Sequence, residues 1–368
     1  MRIVHLDTGR ELRGGQRQLL LLARKLRERG HGQLVVCPEE CALELQLREN
    51  KFEVFVLPRN RLGSFGGMHR LRRQIRSGAF QVLHAHDGRG QTVSALASLG
   101  LPVRRVATRR VTFMPRGLQR ALGVHRLQYG PTCDAIIAVS NFIRDLLVQS
   151  RLRASKIEVI PDGVEIPAAL PDAAFRNRAR RDWGFEPEAF VIGHAGAFTR
   201  EKGQDILLEA FLQVLNTMPQ ARLLLAGEGP LRALGEVAEL LRRAGSRARI
   251  IDPMEDLTPF FAAIDVYAMP SRAEGLGSSA LLAMAHGLPL VASRVGGLSE
   301  VVAEGETGWL VPPASASALA DGLVMAASRP EILRRFGAAA RQRVAAFSDD
   351  TMVNRTEALY RRLVATAG

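Results

Sequence analysis

The sequence predicts an α/β protein of two domains, each a parallel sheet covered by helices. Three observations predict it. Short apolar runs alternate with stretches of helical period along nearly the whole chain, the pattern of repeated strand–helix–strand units. Several runs, such as 134–140 and 265–270, are unbroken apolar segments, as in strands buried on both faces. At 368 residues the chain is long enough for two ordinary domains. Residues 167–187, rich in Pro, Ala and charge and without a clean apolar period, fall between two such sets of units.

Taken in order, 3–6 is a short strand and 33–37 the next. Between them lie a segment 9–18 carrying Gly14-Gly15 and a helix from about 16 to 29. Leu19, Leu20, Leu22, Ala23 and Leu26 form its inner face, and Gly30-His31-Gly32 ends it. This opening is of the Rossmann type. It lacks Gly-x-Gly-x-x-Gly, so a nicotinamide site is poorly supported. Residues 52–57 read as a strand, and 60–78 as a basic loop and then a helix. The strand 82–86 ends in His86-Asp87, at the carboxyl end where open sheets bind ligands. Strands at 104–108 and 134–140, a helix at 141–149 and a strand and turn at 157–164 complete the first domain.

The second domain opens with the strand 191–196. The loop Thr199-Arg200-Glu201-Lys202-Gly203 leads into a helix at 204–216, and a strand at 221–226 runs into Gly227-Glu228-Gly229-Pro230. Residues 231–244 read as helical, 250–251 as a strand, and 254–263 as a turn and short helix. After the strand 265–270 come Glu274-Gly275-Leu276-Gly277, then Ser278 and Ser279 opening a helix through Ala285 that Gly287 and Pro289 end. Strand 288–293 and the turn 295–300 follow. Residues 349–364 form a last amphipathic helix. The resulting division is a first domain at 1–166, a linker region at 167–187, a second domain at 188–347 and a terminal helix at 348–368.

A helix that starts after a glycine loop presents free backbone N–H groups and a partial positive charge, which suits a phosphate. Glu274 stands just before that start. This stretch resembles the donor-site motif of retaining glycosyltransferases of family 4, enzymes of the GT-B fold. The resemblance implies two Rossmann-like domains facing a central cleft, with the terminal helix packing back on the first domain. It also implies transfer of a sugar, with retention, from a nucleotide-diphosphate sugar without a metal. The loop at Gly14 and Gly15 then lies over the donor phosphates, and Gly196 sits in the family's Gly-Arg-Leu…Lys-Gly motif. Lys202 matches that motif's lysine and stabilises the departing diphosphate. The motif's arginine is replaced by Ala197, with Arg200 as the candidate substitute.

Glu274 is then the acid on the donor-sugar hydroxyls. Gly275, Leu276, Gly277, Ser278 and Ser279 form the cradle for the diphosphate. The family's second acid, eight positions on, is here Leu282, which cannot accept ribose hydrogen bonds. Where the family often has a histidine after the strand 104–108, this chain has Arg109-Arg110. A guanidinium is no base, but it grips phosphate or carboxylate through two parallel bonds. His86 and Asp87 are the alternative residues for orienting the acceptor, with His86 counted among the catalytic candidates. No Asp-x-Asp stands in a metal-binding context, and no nucleophile-elbow pattern supports hydrolysis.

Charge adds a further expectation. Residues 1–165 hold 28 Lys+Arg against 14 Asp+Glu, and residues 166–368 hold 22 against 23, so the net +13 resides in the first half. No acid occurs between Asp87 and Asp134, where Arg89, Arg104, Arg105, Arg109, Arg110, Arg116, Arg120 and Arg126 do. A scarcity of lysine, four in all, explains Arg over Lys but not the asymmetry. A basic face for an anionic glycan, a lipid-linked or lipopolysaccharide acceptor, or an anionic membrane surface is the functional reading, with the arginines gathered at the cleft mouth.

The competing classes are a non-catalytic sugar-nucleotide-binding relative and a nucleic-acid-binding protein. The second is disfavoured by the few aromatics in the basic half. The first residues do not read as a signal peptide, and no apolar run approaches the roughly 20 residues of a membrane helix. Cys37, Cys41 and Cys133 match no zinc spacing and read as buried or incidental thiols, which with the rest points to the cytoplasm.

Overall fold

A computed structural model describes residues 1–58, 65–113 and 124–366. The chain divides into two compact units, 1–163 with 349–368, and 164–348. The first contains a seven-stranded parallel sheet. Its strands are β1 (Arg2–Leu6), β2 (Gly32–Pro38), β3 (Glu53–Leu57), β4 (Val82–Ala85), β5 (Arg104–Arg109), β6 (Ala135–Ala138) and β7 (Ile157–Val159). Their spatial order is β3-β2-β1-β4-β5-β6-β7. The order reverses direction beside β1, and the crevice at such a switch point is where open α/β sheets bind ligands.

The period of two along each strand explains the layering. Ile3 and Val82 belong to an apolar cluster with Leu22, Leu26 and Tyr360, while Val4, Leu6 and Leu83 pack on the opposite face with Leu71, Ile75 and Val93. Both faces are therefore covered. The terminal helix, Asp349–Ala365, lies against the first helix, Gly14–Glu28. Lys25 Nζ reaches Asp349 Oδ2 at 2.8 Å, and Arg29 and His31 meet Glu357 at 2.9 and 3.0 Å.

The second unit contains a six-stranded parallel sheet in the order β10-β9-β8-β11-β12-β13. The strands are β8 (Val191–Ala195), β9 (Arg222–Ala226), β10 (Ala248–Ile251), β11 (Val266–Met269), β12 (Leu290–Ser293) and β13 (Gly308–Val311). One cluster around Leu207, Phe211, Leu223, Leu225, Val266 and Leu323 fills the space between the sheet and its helices.

Several boundaries differ from the sequence reading. The first helix begins at Gly14 rather than 16, so Gly14 and Gly15 are its first turn, not a loop. Arg13 N donates to Gln16 Oε1 at 3.1 Å, which starts the helix despite the glycines. Residues 231–244 divide into a short 3-10 turn, Pro230–Ala233, and a helix, Gly235–Ala244. β13 and the helices Ala316–Ala327 and Pro330–Arg343 fall in a stretch for which the sequence reading gave no elements.

The expected linker 167–187 is not a linker, because it carries the helix Ala173–Asp182 of the second unit. Its inner face is arginine rather than hydrocarbon, which is why no apolar period marks it. Arg176 and Arg180 each bind Asp265 at 2.6 Å, and Arg180, 2% exposed, also donates to the carbonyls of Ala263 and Ala189. The three cysteines are buried free thiols. Among the described residues no helix is long and apolar enough to cross a membrane.

Candidate functional site

The best-formed site lies in the second unit, beyond the carboxyl ends of β8 and β11. The loop after β8 and the loop after β11 are stitched together before either side chain is considered. Arg272 N donates to Glu201 O at 2.7 Å. The Arg272 guanidinium holds Asp205 through two bonds, 2.8 and 2.9 Å, and donates to Arg200 O at 2.9 Å. Burial acts to raise the Asp205 carboxyl, but the Arg272 bonds outweigh it and its pKa lies below the ordinary value. Gly203 adopts φ +73°, and a Cβ there would stand 2.2 Å from Pro270 O. Only glycine allows the two loops to approach this closely.

The stitching fixes Lys202 against Glu274. Lys202 Nζ donates to Glu274 Oε2 at 2.7 Å, and Ser271 Oγ reaches the same oxygen at 3.3 Å. The ammonium remains partly exposed, at 28% of its side chain, whereas Glu274 is 11% exposed. The two residues expected to serve the donor therefore do meet, 72 positions apart in sequence.

The glycine loop behaves as the start of a helix requires. Gly277 takes φ +104°, and the helix runs from Ser278 to Ala285. Ala280 and Leu281 make its first bonds, to Gly277 O at 2.9 and 3.2 Å, so the N–H groups of Ser278 and Ser279 precede the intrahelical ladder. Leu276 is buried, Gly275 is buried, and Ser278 and Ser279 are half-buried. Gly297 abuts Gly275, where a Cβ would stand 2.2 Å from Gly275 O.

Beneath the loops, buried His194 holds its Nδ1 on Ala268 O at 2.9 Å, and burial lowers its pKa to about 4. Gln204 donates to Ala197 O at 2.9 Å. Tyr267 Oη bridges the end of β8, donating to Ala195 O and accepting from Ala195 N at 2.9 and 3.1 Å. Gly196 follows directly, and a Cβ on Gly227 would lie 2.2 Å from Gly196 O.

One expectation changes here. Arg200 is not turned toward Lys202 as a replacement for the missing arginine. It is 62% exposed and pairs with Glu236 at 2.6 Å. Leu282 is not core. It is half-buried, on the helix side away from the buried Ala280, Leu281, Ala283, Met284 and Ala285. His286, one turn on, donates from Nδ1 to Leu282 O at 2.9 Å.

In the first unit, the groups expected near the acceptor sit at the carboxyl end of its sheet. Asp87 caps the helix Gly88–Ala97, accepting from Gly90 N at 2.9 Å, and accepts from Thr8 N and Oγ1. Its oxygens thus accept hydrogen bonds from local structure. Arg110 pairs with Asp162 at 2.9 Å, with the two side chains 14% and 7% exposed. Arg109 is buried and donates to Phe113 O. Gly15 faces Arg110, whose Cδ would be 3.9 Å from an added Cβ. His86 is 4% exposed and its Nε2 shares a hydrogen bond with His5 Nδ1 at 3.1 Å, so it is enclosed rather than displayed.

The arginines do not form one group. Arg104 and Arg105, at the amino end of β5, engage Asp134 at 3.7 and 3.4 Å, while Arg109 and Arg110 stand at the opposite end. Arg89 and Arg126 are exposed. Arg116, Arg120 and residues 60–64 of the basic stretch lie outside the described residues. Sequence reasoning missed Asp162, Ser271, Asp205 and Arg272. Asp162 alone carried a signal, since it occupies the turn after β7 that the sequence places at the end of the first domain.

Comparison with known proteins agrees with this geometry. Residues 12–166 match the family described as Glycosyltransferase Family 4, and residues 189–329 match Glycosyl transferases group 1. A D-inositol 3-phosphate glycosyltransferase of Pseudarthrobacter chlorophenolicus is 32% identical over 277 residues, 69% of this chain and 64% of the relative. A GDP-mannose-dependent alpha-(1-6)-phosphatidylinositol monomannoside mannosyltransferase of Mycolicibacterium smegmatis is 31% identical over 237 residues, 59% of this chain and 60% of the relative. The chain thus spans less than two thirds of the length of the curated relatives it matches. The crystal structure of Anabaena HepE in complex with UDP superposes with a TM-score of 0.88 at 23% identity, over 98% of this chain and all of the other. Both halves thus match glycosyltransferase family models in order, family 4 in the first and group 1 in the second, on the two parallel sheets of the GT-B fold.

Proposed function

We propose that this protein transfers a sugar, with retention, from a nucleotide-diphosphate sugar to a hydroxyl of an anionic acceptor, releasing the nucleoside diphosphate and a proton. The observation that carries the reading is the Lys202–Glu274 pair beside the N-terminus of the helix Ser278–Ala285. As the anomeric carbon–oxygen bond breaks, charge develops on the diphosphate. A preplaced ammonium and helix N–H groups stabilise that charge without reorganising at the moment of reaction. Glu274, relieved of Lys202, accepts hydrogen bonds from the donor-sugar hydroxyls. The residues supply this electrostatics themselves, and the reaction is written without a metal.

The acceptor class follows from charge and from the relatives. The names of both curated relatives specify inositol carrying phosphate, free or as phosphatidylinositol. Arg110 and the exposed Arg89 and Arg126 stand in the acid-free stretch of the first unit. An inositol phosphate or a lipid-linked glycan is therefore the acceptor chemistry, with lipopolysaccharide as one lipid-linked form. Exposed Leu96, Leu99, Val111, Phe113 and Leu127 in the same stretch suit peripheral contact with an anionic membrane from the cytoplasmic side.

The test is a thermal-shift screen of UDP-, GDP- and ADP-sugars, since a bound donor stabilises by mass action. Turnover of the stabilising donor is then measured with inositol phosphate or with lipid-linked acceptors in anionic vesicles. Stabilisation by one nucleotide class and acceptor-dependent release of its diphosphate are expected. No stabilisation by any of them refutes the donor site.

A further inference from the structure

A diphosphate seated on the N–H groups of Ser278 and Ser279 leaves its nucleoside to lie along one side of the helix Ser278–Ala285. That helix has an open side. Ala280, Leu281, Ala283, Met284 and Ala285 are buried, while Ser278, Leu282 and His286, spaced by four and so stacked on one face, are half-buried. The neighbouring helix Thr258–Ala263 borders this stripe, and its Phe261 ring stacks on His286 with centroids 4.6 Å apart and planes at 25°. The charge of Asp256, in the loop after β10, also reaches the His286 ring.

His286 stands just past the last turn of the helix, but its ring does not stay there. Helix side chains lean toward the N-terminus. His286 Nδ1 donates to Leu282 O at 2.9 Å, which folds the ring back to the level of Leu282. At 1.5 Å per residue that level is about 6 Å from the helix start. A carbonyl only accepts, so the proton is on Nδ1, and Nε2 of the neutral ring carries a lone pair. Burial is the largest influence on this imidazole and lowers its pKa. The charge of Arg341 acts with burial, and the bond to Leu282 O and the charge of Asp256 act against it without prevailing, so the ring is neutral at neutral pH. Nε2 is buried with no hydrogen-bond partner among the described residues. Such an acceptor is ordinarily satisfied, by protein, water or a ligand.

We propose, resting on the donor-site reading above, that His286 reads the ribose of the donor nucleotide by accepting a hydrogen bond at Nε2 from one ribose hydroxyl. Leu282, at the same level of the helix, offers only hydrocarbon. A carboxylate in its place would present two oxygens, one for each ribose hydroxyl, whereas a neutral imidazole presents one lone pair. Recognition is therefore single: one of the 2′- and 3′-hydroxyls is read and the other is not. The stack on Phe261 and the bond to Leu282 O fix the ring plane, so the lone pair is aimed before the nucleotide arrives. A nucleotide lacking the hydroxyl that is read leaves Nε2 unpaired and loses affinity.

The test is calorimetric titration of the full chain with UDP, GDP and ADP, then with the 2′-deoxy and 3′-deoxy forms of whichever binds. One deoxy form should bind about fivefold to tenfold more weakly than its parent, the scale of one net hydrogen bond, and the other within about twofold of it. His286→Phe keeps a ring against Phe261 and removes the lone pair. In that variant the parent should weaken by the same factor, and all three forms should bind within about twofold of one another. If the variant does not fold, the 15N resonance of His286 Nε2 in the unaltered chain decides. It should move to a hydrogen-bonded position with the parent nucleotide and not with the weaker deoxy form. Equal binding of all three forms by the unaltered chain, or discrimination that survives in folded His286→Phe, overturns the ribose contact and leaves the donor site standing. Binding of no nucleotide overturns both.

Discussion

Lys202 Nζ lies 2.7 Å from Glu274 Oε2, so the cation proposed for a leaving diphosphate is held at rest by the acid proposed for the sugar. Each neutralises the other until a donor with two phosphates competes for the ammonium. Replacing either residue by Ala should lower turnover about 100-fold or more, the scale of losing one preorganised electrostatic partner. Lys202→Ala should also weaken binding of the free nucleoside diphosphate, whereas Glu274→Ala should mainly affect the sugar-bearing donor. Steady-state kinetics and diphosphate binding by calorimetry separate the two. Wild-type turnover in both variants would sink the assignment.

Leu282 stands half-buried on the helix that opens the donor loop, where an acid would serve the ribose. Because the position is not core, Leu282→Glu should fold. One restored net hydrogen bond should tighten nucleotide binding by about 1 kcal/mol. Titration of a nucleoside diphosphate into both proteins checks this. Unchanged affinity in a stable variant would place the ribose elsewhere.

Arg110→Ala should destabilise the first unit before it affects any acceptor. It leaves Asp162, 7% exposed, without its guanidinium, and breaking such an enclosed pair costs about 3–5 kcal/mol. The double variant Arg110→Ala/Asp162→Asn should recover part of that loss, because no charge is then stranded. Denaturant midpoints of the three proteins test it. Strict additivity would show that the pair is not coupled.

Glu357 predicts an acid-side loss of stability. The hydrogen bond from Arg361, followed by those from Arg29 and His31, pushes its pKa down to about 2. A folded pKa below the unfolded one contributes stability that is present above the unfolded value of about 4.3 and is lost as pH falls through about 2. The wild type should therefore lose more stability between pH 5 and 2 than Glu357→Gln does, read as urea midpoints. Parallel losses in both would show that the clamp from the terminal helix to Arg29 and His31 is not maintained.

The sequence by itself determined what is periodic or conformationally demanding. Runs such as 191–196 and 265–270 announced a buried parallel sheet, and Gly275-Leu276-Gly277-Ser278 announced a turn into a helix. Lys202 and Glu274 were legible through their resemblance to the lysine and the first acid of the family 4 donor-site motifs. What depends on pairing across the chain was decided only by tertiary structure. The helix Ala173–Asp182 looked like a linker because its inward face is arginine, satisfied by Asp265 and carbonyls that no local pattern reveals. Arg104 and Arg109 looked like neighbours in one basic face, yet a six-residue strand carries them to opposite ends of the sheet. His5, His84 and His86 met only because β1 pairs with β4 in a register that sets His5 beside His84. Side-chain alternation is local, but register is set by the whole sheet.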